Sequence, residues 1–103
     1  MLTKDLQSSQ TKALLQNYVF KVIPCLNPDG VARGYWRFDT NGCNLNRQYE
    51  FPSLTRHPTI FAAKNSILRD HKRRNLKMYI DFHAHMTKRG CFVYGNSVDD
   101  VDS

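Results

Sequence analysis

Apolar positions along the chain follow two rhythms, one helical and one of strands. In "SSQTKALLQN", residues 8–17, Ala13, Leu14 and Leu15 follow two serines, which predicts the end of a helix capped by Ser8 or Ser9. Residues 18–26, "YVFKVIPCL", are dense in β-branched and aromatic side chains and read as a buried strand. "NPDG", 27–30, places Asn first, Pro second and Gly fourth, the pattern of a type I turn. From Val31 to Pro58 neither period is sustained. A loop of about 25 residues is too long for a mere connector and is more often functional.

Pro58 suits the first turn of a helix. Ile60, Phe61, Ala63, Ile67, Leu68 and His71 then recur at helical spacing, and "HKRRN" closes the run with cations at the negative end of the dipole. "LKMYIDFHA", 76–84, is a second predicted strand and "CFVYG", 91–95, a short third one. A helix crossing between two strands predicts a parallel α/β layer. Two or three strands with two helices make a thin unit whose first helix lacks a partner. The pattern therefore reads as a fragment of a larger α/β domain.

Within the second strand, alternation turns Met78, Ile80, Phe82 and Ala84 to one face and Tyr79, Asp81, His83 and His85 to the other. Histidines at i and i+2 share a face about 7 Å apart, a spacing that suits a metal, although a strand-end histidine is more often structural. A catalytic metal takes about three protein ligands and keeps one position open. Ligands of open α/β sheets bind beyond the carboxyl ends of the strands. "NPDG" follows the first strand, "HAH" ends the second, and the long loop leaves from the same rim. Its densest parts are "GYWRF", 34–38, and "GCNLNRQY", 42–49, which make Arg37 and Arg47 candidates to converge near His83. A guanidinium is a planar fork shaped to grip carboxylates, and Asn46 adds an amide beside it. Each feature alone has a plainer reading: a simple turn, solvated arginines, a structural histidine, a cationic helix end.

Composition sharpens the picture. The 103 residues carry fifteen Lys and Arg against nine Asp and Glu, a net charge of +6. Such a surface suits nucleic acid, an anionic membrane or an acidic protein tail. The basic "HKRR" run has no interleaved aromatics for base stacking, so no nucleic-acid partner is expected. No membrane association is expected either, because no apolar run approaches the roughly 20 residues that span a bilayer. The N-terminal "MLTKDLQSSQ" lacks the apolar core of a secretory signal. Cys25, Cys43 and Cys91 form no C-x-x-C pair, which points to free thiols in the reducing cytosol.

The motifs say more together than singly. In order and spacing, "NPDG" at 27–30, Arg37, "NLNRQY" at 44–49 and "DFHAHMTKRGCFVYGN" at 81–96 resemble the zinc metallocarboxypeptidases. The likeness is strongest to the cytosolic carboxypeptidase branch, whose enzymes trim glutamates from tubulin and similar proteins. The last two runs look most like a tubulin-deglutamylating member. The resemblance extends from about Tyr18 to Asn96. It implies that the chain is a part of a mixed-sheet α/β catalytic domain with helices packed on the sheet. It further implies Zn2+ as cofactor, polyglutamylated protein tails and tubulin as partners, and a cytoplasmic location, with microtubules and the nucleus as further sites. His83 would be the family's last zinc ligand and His85 a neighbour on the same face that does not ligate. Arg37 would hold the developing oxyanion, a catalytic role. Asn46 and Arg47 would bind the free α-carboxylate of the substrate, with Asn27 to Gly30 shaping the loop beneath them.

Some residues depart from the family pattern. Asn44 stands where many relatives carry Asp, and an amide cannot raise a ligand's basicity as a carboxylate does. The family's first two ligands come from H-x-x-E, but none of His57, His71, His83 and His85 has Glu three positions on. The sole glutamate, Glu50, matches neither the ligand nor the catalytic base. The chain is thus expected to be an incomplete, inactive piece of such an enzyme. Two alternatives stand beside this reading. One is a non-catalytic module offering Arg37 and Arg47 to acidic tails. The other is an amidohydrolase-like enzyme using His83 and His85 as an H-x-H pair.

Overall fold

A computed structural model describes residues 7–96. Its helices are α1 (Ser9–Asn17), α2 (Pro28–Ala32) and α3 (Pro58–Lys72), with a single 3-10 turn at Leu45–Arg47. Ser8 caps α1 as its sequence predicts, its side-chain oxygen accepting the Thr11 N–H at 3.1 Å. No residue of α1 is buried.

The expected type I turn at 27–30 is instead the first turn of α2. Asn27 is its cap, with Oδ1 accepting the Gly30 N–H at 3.2 Å, and Pro28 takes the first helical position. The two outcomes share their opening residues. The helix continues because the Val31 and Arg33 amides find the Asn27 and Asp29 carbonyls at 3.0 and 3.1 Å. The other end of the Asn27 amide donates to the Phe38 carbonyl at 3.1 Å and folds the following chain back. A Cβ on Gly30 would lie 2.6 Å from that same carbonyl, so a bare glycine is needed there. Asp39, nearly buried, then closes the next bend by accepting the Asn41 and Cys43 amides at 2.9 and 2.7 Å. The long loop is thus a folded scaffold.

Helix α3 starts at Pro58, as predicted. Its inner face buries Ile60 and Ala63, which with Leu45 of the loop form the apolar core of the described residues. His57 precedes it, also buried, with Nδ1 accepting the Ser53 N–H at 3.2 Å. The helix closes in a Schellman motif: Asn75 N–H to Asp70 C=O at 3.1 Å and Arg74 N–H to His71 C=O at 2.8 Å. That geometry puts Arg74 at φ 56°, a left-handed conformation unusual for any residue with a Cβ.

The three predicted strands are not formed. Among the described residues, 18–26, 76–84 and 91–95 form no strands, and no ladder joins them. Composition favours extended backbone, and Tyr18 has φ −133° and ψ 144°. A strand, however, exists only through a paired neighbour and a covered face. Here Val19, Phe82 and Val93 are 89%, 90% and 89% exposed. The radius of gyration is 16.9 Å, against about 13 Å for a compact 100-residue domain. The parallel layer expected from the sequence is therefore corrected to helices joined by extended segments. What anchors the first segment is an ion pair, Lys21 Nζ to Asp70 Oδ2 at 2.5 Å. That hydrogen bond holds the Asp70 carboxyl below its ordinary value.

Because glycine accepts positive φ without steric cost, Arg74→Gly should stabilise the C-terminus of α3 by about 1 kcal/mol. Slower hydrogen exchange at the Arg73 to Asn75 amides is the expected readout; unchanged or faster exchange would contradict the assignment.

Candidate functional site

The 3-10 turn at Leu45–Arg47 carries two of the predicted site residues. Leu45 is buried and fixes the turn, while Asn46 and Arg47 stay exposed. Arg47 donates only a long 3.4 Å bond to the Asn46 carbonyl, so its fork is free for a ligand. Asn44 caps the turn through its backbone and makes no side-chain cap bond.

Two residues further on, Tyr49 meets the histidine-bearing segment. Its hydroxyl lies 3.4 Å from that of Tyr79, long for an O–H···O bond. The Tyr49 phenol is pushed well above its ordinary value of 10.0, first by burial, then by the Tyr79 hydroxyl, and with a contribution from the Asp81 charge. The residues just after the loop turn and the start of the 79–83 segment therefore share one neighbourhood. Lys64 of α3 secures the loop from the other side, donating to the Glu50 carbonyl at 2.5 Å.

Within 79–85 the two histidines differ. His83 Nε2 sits 2.9 Å from Asp81 Oδ2, and among the described residues Nδ1 has no hydrogen-bond partner. A carboxylate holding one ring nitrogen while the other faces a metal is the usual support of a ligating histidine. His85 is engaged otherwise: its Nδ1 accepts the Lys88 and Thr87 amides at 3.1 and 3.3 Å, and its ring meets Phe92 edge-on at 5.3 Å. The donor set thus suits a metal at His83 and gives His85 a structural part in the following turn. Among the described residues no group of three or more His, Cys, Asp or Glu could hold a metal.

Arg37 stands apart. Its guanidinium stacks 4.8 Å from the centre of the exposed Trp36 ring. Among the described residues no hydrogen bond or ion pair joins it to Asn46, Arg47 or His83. The residue that sequence reasoning left without a role is Asp81. The signal was present as D-x-H on one face of an extended stretch, a spacing that brings carboxylate and imidazole together even without a sheet.

Comparison with known proteins shows the family. A family model described as zinc carboxypeptidase matches residues 1–101. Cytosolic carboxypeptidase 1 of Danio rerio is 42% identical over 96 residues, 91% of this chain and 8% of that protein. Cytosolic carboxypeptidase 6 of Caenorhabditis elegans is 40% identical over 98 residues, 93% of this chain and 21% of that protein. Cytosolic carboxypeptidase-like protein 5 of Danio rerio is 49% identical over 65 residues, 63% of this chain and 7% of that protein. The chain thus spans a minor part of each relative's length.

The raised Tyr49 value has a definite consequence for pH. The folded chain holds that proton more tightly than the unfolded one, so stability from this contact is full below pH 10 and is lost as pH rises further. In an ultraviolet titration, one of the five tyrosines should ionise above the ordinary phenol range, and Tyr49→Phe should remove that late step. Five tyrosines ionising together would contradict the contact.

Proposed function

Because this chain belongs to the zinc carboxypeptidase family, we propose that it forms part of the mixed-sheet catalytic domain of a cytosolic carboxypeptidase that removes glutamates from polyglutamylated tails, tubulin's included. The observation that supports the reading is the approach of Tyr49, two residues after Arg47, to Tyr79, two residues before Asp81. The 103 residues supply one zinc-suited imidazole and neither H-x-x-E nor a placed catalytic glutamate, so the chain by itself is proposed to be inactive. The domain is read as residues 1–103 of a larger unit, in the cytoplasm, with microtubules and the nucleus as further places of action.

Zinc, when bound, polarises a carbonyl and lowers the pKa of water to about 7. The residues of this chain then have separate tasks. Asp81 would orient the His83 ring through Nε2, leaving Nδ1 as the nitrogen that would hold the metal. Arg47 and Asn46 grip the terminal α-carboxylate, which restricts cleavage to the last residue of a chain: an internal bond leaves the clamp unpaired. Arg37 meets the negative charge that grows on the carbonyl oxygen, a role worth about 3 kcal/mol in comparable oxyanion sites. To reach that oxygen its guanidinium leaves the Trp36 face, a stacking contact worth only about 0.5–1 kcal/mol when exposed.

A chimera in which these residues replace the matching stretch of a full-length cytosolic carboxypeptidase provides the test. His83→Ala should lose tightly held zinc, His85→Ala should retain it, and Asp81→Ala should weaken zinc binding by about 10- to 100-fold, read by competition with a chelator. Equal loss of zinc from His83→Ala and His85→Ala would instead favour the H-x-H pair.

Kinetics separate the two arginines in the same chimera. Arg47→Ala should raise KM on a short polyglutamate peptide and abolish the preference for a free acid over an amidated end. Arg37→Ala should chiefly lower kcat, by about 100-fold or more. Small, salt-sensitive losses of order 1 kcal/mol from both would show that they are solvated loop charges.

A further inference from the structure

Helix α3 has two faces of opposite character. Ile60, Ala63, Ile67 and Asp70 recur at helical spacing on the side that is buried and tied to Lys21. On the far side Asn65, Leu68, Arg69 and Lys72 follow at i, i+3, i+4 and i+7, with Arg73 beside them. Together these five residues line a shallow hollow of about 390 Å³. The three cations are exposed. The acid within α3, Asp70, hydrogen-bonds Lys21 and also feels Arg69 and Arg73, but one carboxylate shared with Lys21 leaves these cations in excess.

A helix C-terminus presents about half a negative charge, which one cation answers. Arg69, Lys72 and Arg73 leave a surplus. Leu68, 42% exposed, gives the hollow an apolar floor between an amide and the cations. No aromatic ring lines it, and without a stacking surface it is poorly suited to nucleic-acid bases. Planar guanidinium forks over a short apolar strip fit an acidic peptide, whose carboxylates take the forks while its methylene groups lie on the leucine.

We propose that the outward face of α3, built from Asn65, Leu68, Arg69, Lys72 and Arg73, is a docking surface for an acidic polypeptide segment. It requires neither a free terminal carboxylate nor a metal, and so is independent of the Arg47 clamp. In the proposed enzyme it would hold an acidic substrate upstream of its cleaved end.

The test uses the 103-residue chain and a fluorescent oligoglutamate peptide blocked at both ends, titrated at low and at physiological salt. The triple variant Arg69→Gln, Lys72→Gln, Arg73→Gln keeps helix-forming residues and removes three charges. A control, Lys12→Gln, Arg33→Gln, Arg56→Gln, removes three charges elsewhere; helix content of both is checked by circular dichroism. The α3 variant should bind about tenfold more weakly at low salt, and the control within about twofold of the parent chain. Equal weakening in both, or no measurable binding by the parent chain, would overturn the proposal. So would a single-stranded oligonucleotide that binds more tightly than the peptide and is lost with the same α3 variant. Because the peptide has no free carboxyl end and no zinc is present, a negative result leaves the zinc and clamp assignments standing.

Discussion

Helix α3 can bury one face only, and the placement of the site depends on that constraint. Its inner side takes up Ile60 and Ala63, with His57 at its start. Lys64 reaches the Glu50 carbonyl and Asp70 holds Lys21, so loop and first extended segment are both fastened to the same helix. Beside these ties Tyr49, two residues after the 3-10 turn, meets Tyr79, two residues before Asp81. The same constraint leaves the cations of α3 facing outward.

The loop between α2 and α3 contributes through backbone geometry more than through burial. Asn27 bonds in two directions, Gly30 admits the Phe38 carbonyl, and Asp39 gathers two amides. Hydrogen bonds of this kind contribute about 1 kcal/mol each when paired and cost more when a partner is lost. They hold Arg37 on a shaped segment without fixing its side chain, which rests on Trp36. The role proposed for Arg37, meeting charge that appears only during reaction, requires no ground-state partner.

What was legible in the sequence follows the range of each interaction. Ser8 and Pro58 mark helix starts through contacts within four residues, and both starts are where these residues place them. The turn at 27–30 extended into a helix because turn and helix begin alike. Strand pairing is non-local: 18–26, 76–84 and 91–95 carry strand composition, but a ladder needs a neighbour that composition does not supply. The site was legible where it rests on spacing. Asp81, His83 and His85 share a face by alternation alone, yet which imidazole takes the carboxylate depends on the local turn at Thr87 and Lys88. Asp81 was placed on that face by the same alternation but given no role, because spacing alone does not show its hydrogen bond to His83.

The account's central claim is that the loop turn and the histidine segment form one neighbourhood. Nuclear Overhauser contacts between selectively labelled tyrosine rings test it directly, with Tyr49→Phe and Tyr79→Phe assigning the signals. The account predicts cross-peaks between the Tyr49 and Tyr79 rings in the 103-residue chain. Protected α3 amides without any such cross-peak would contradict it, because the helix would then be folded while the two halves of the site stayed apart.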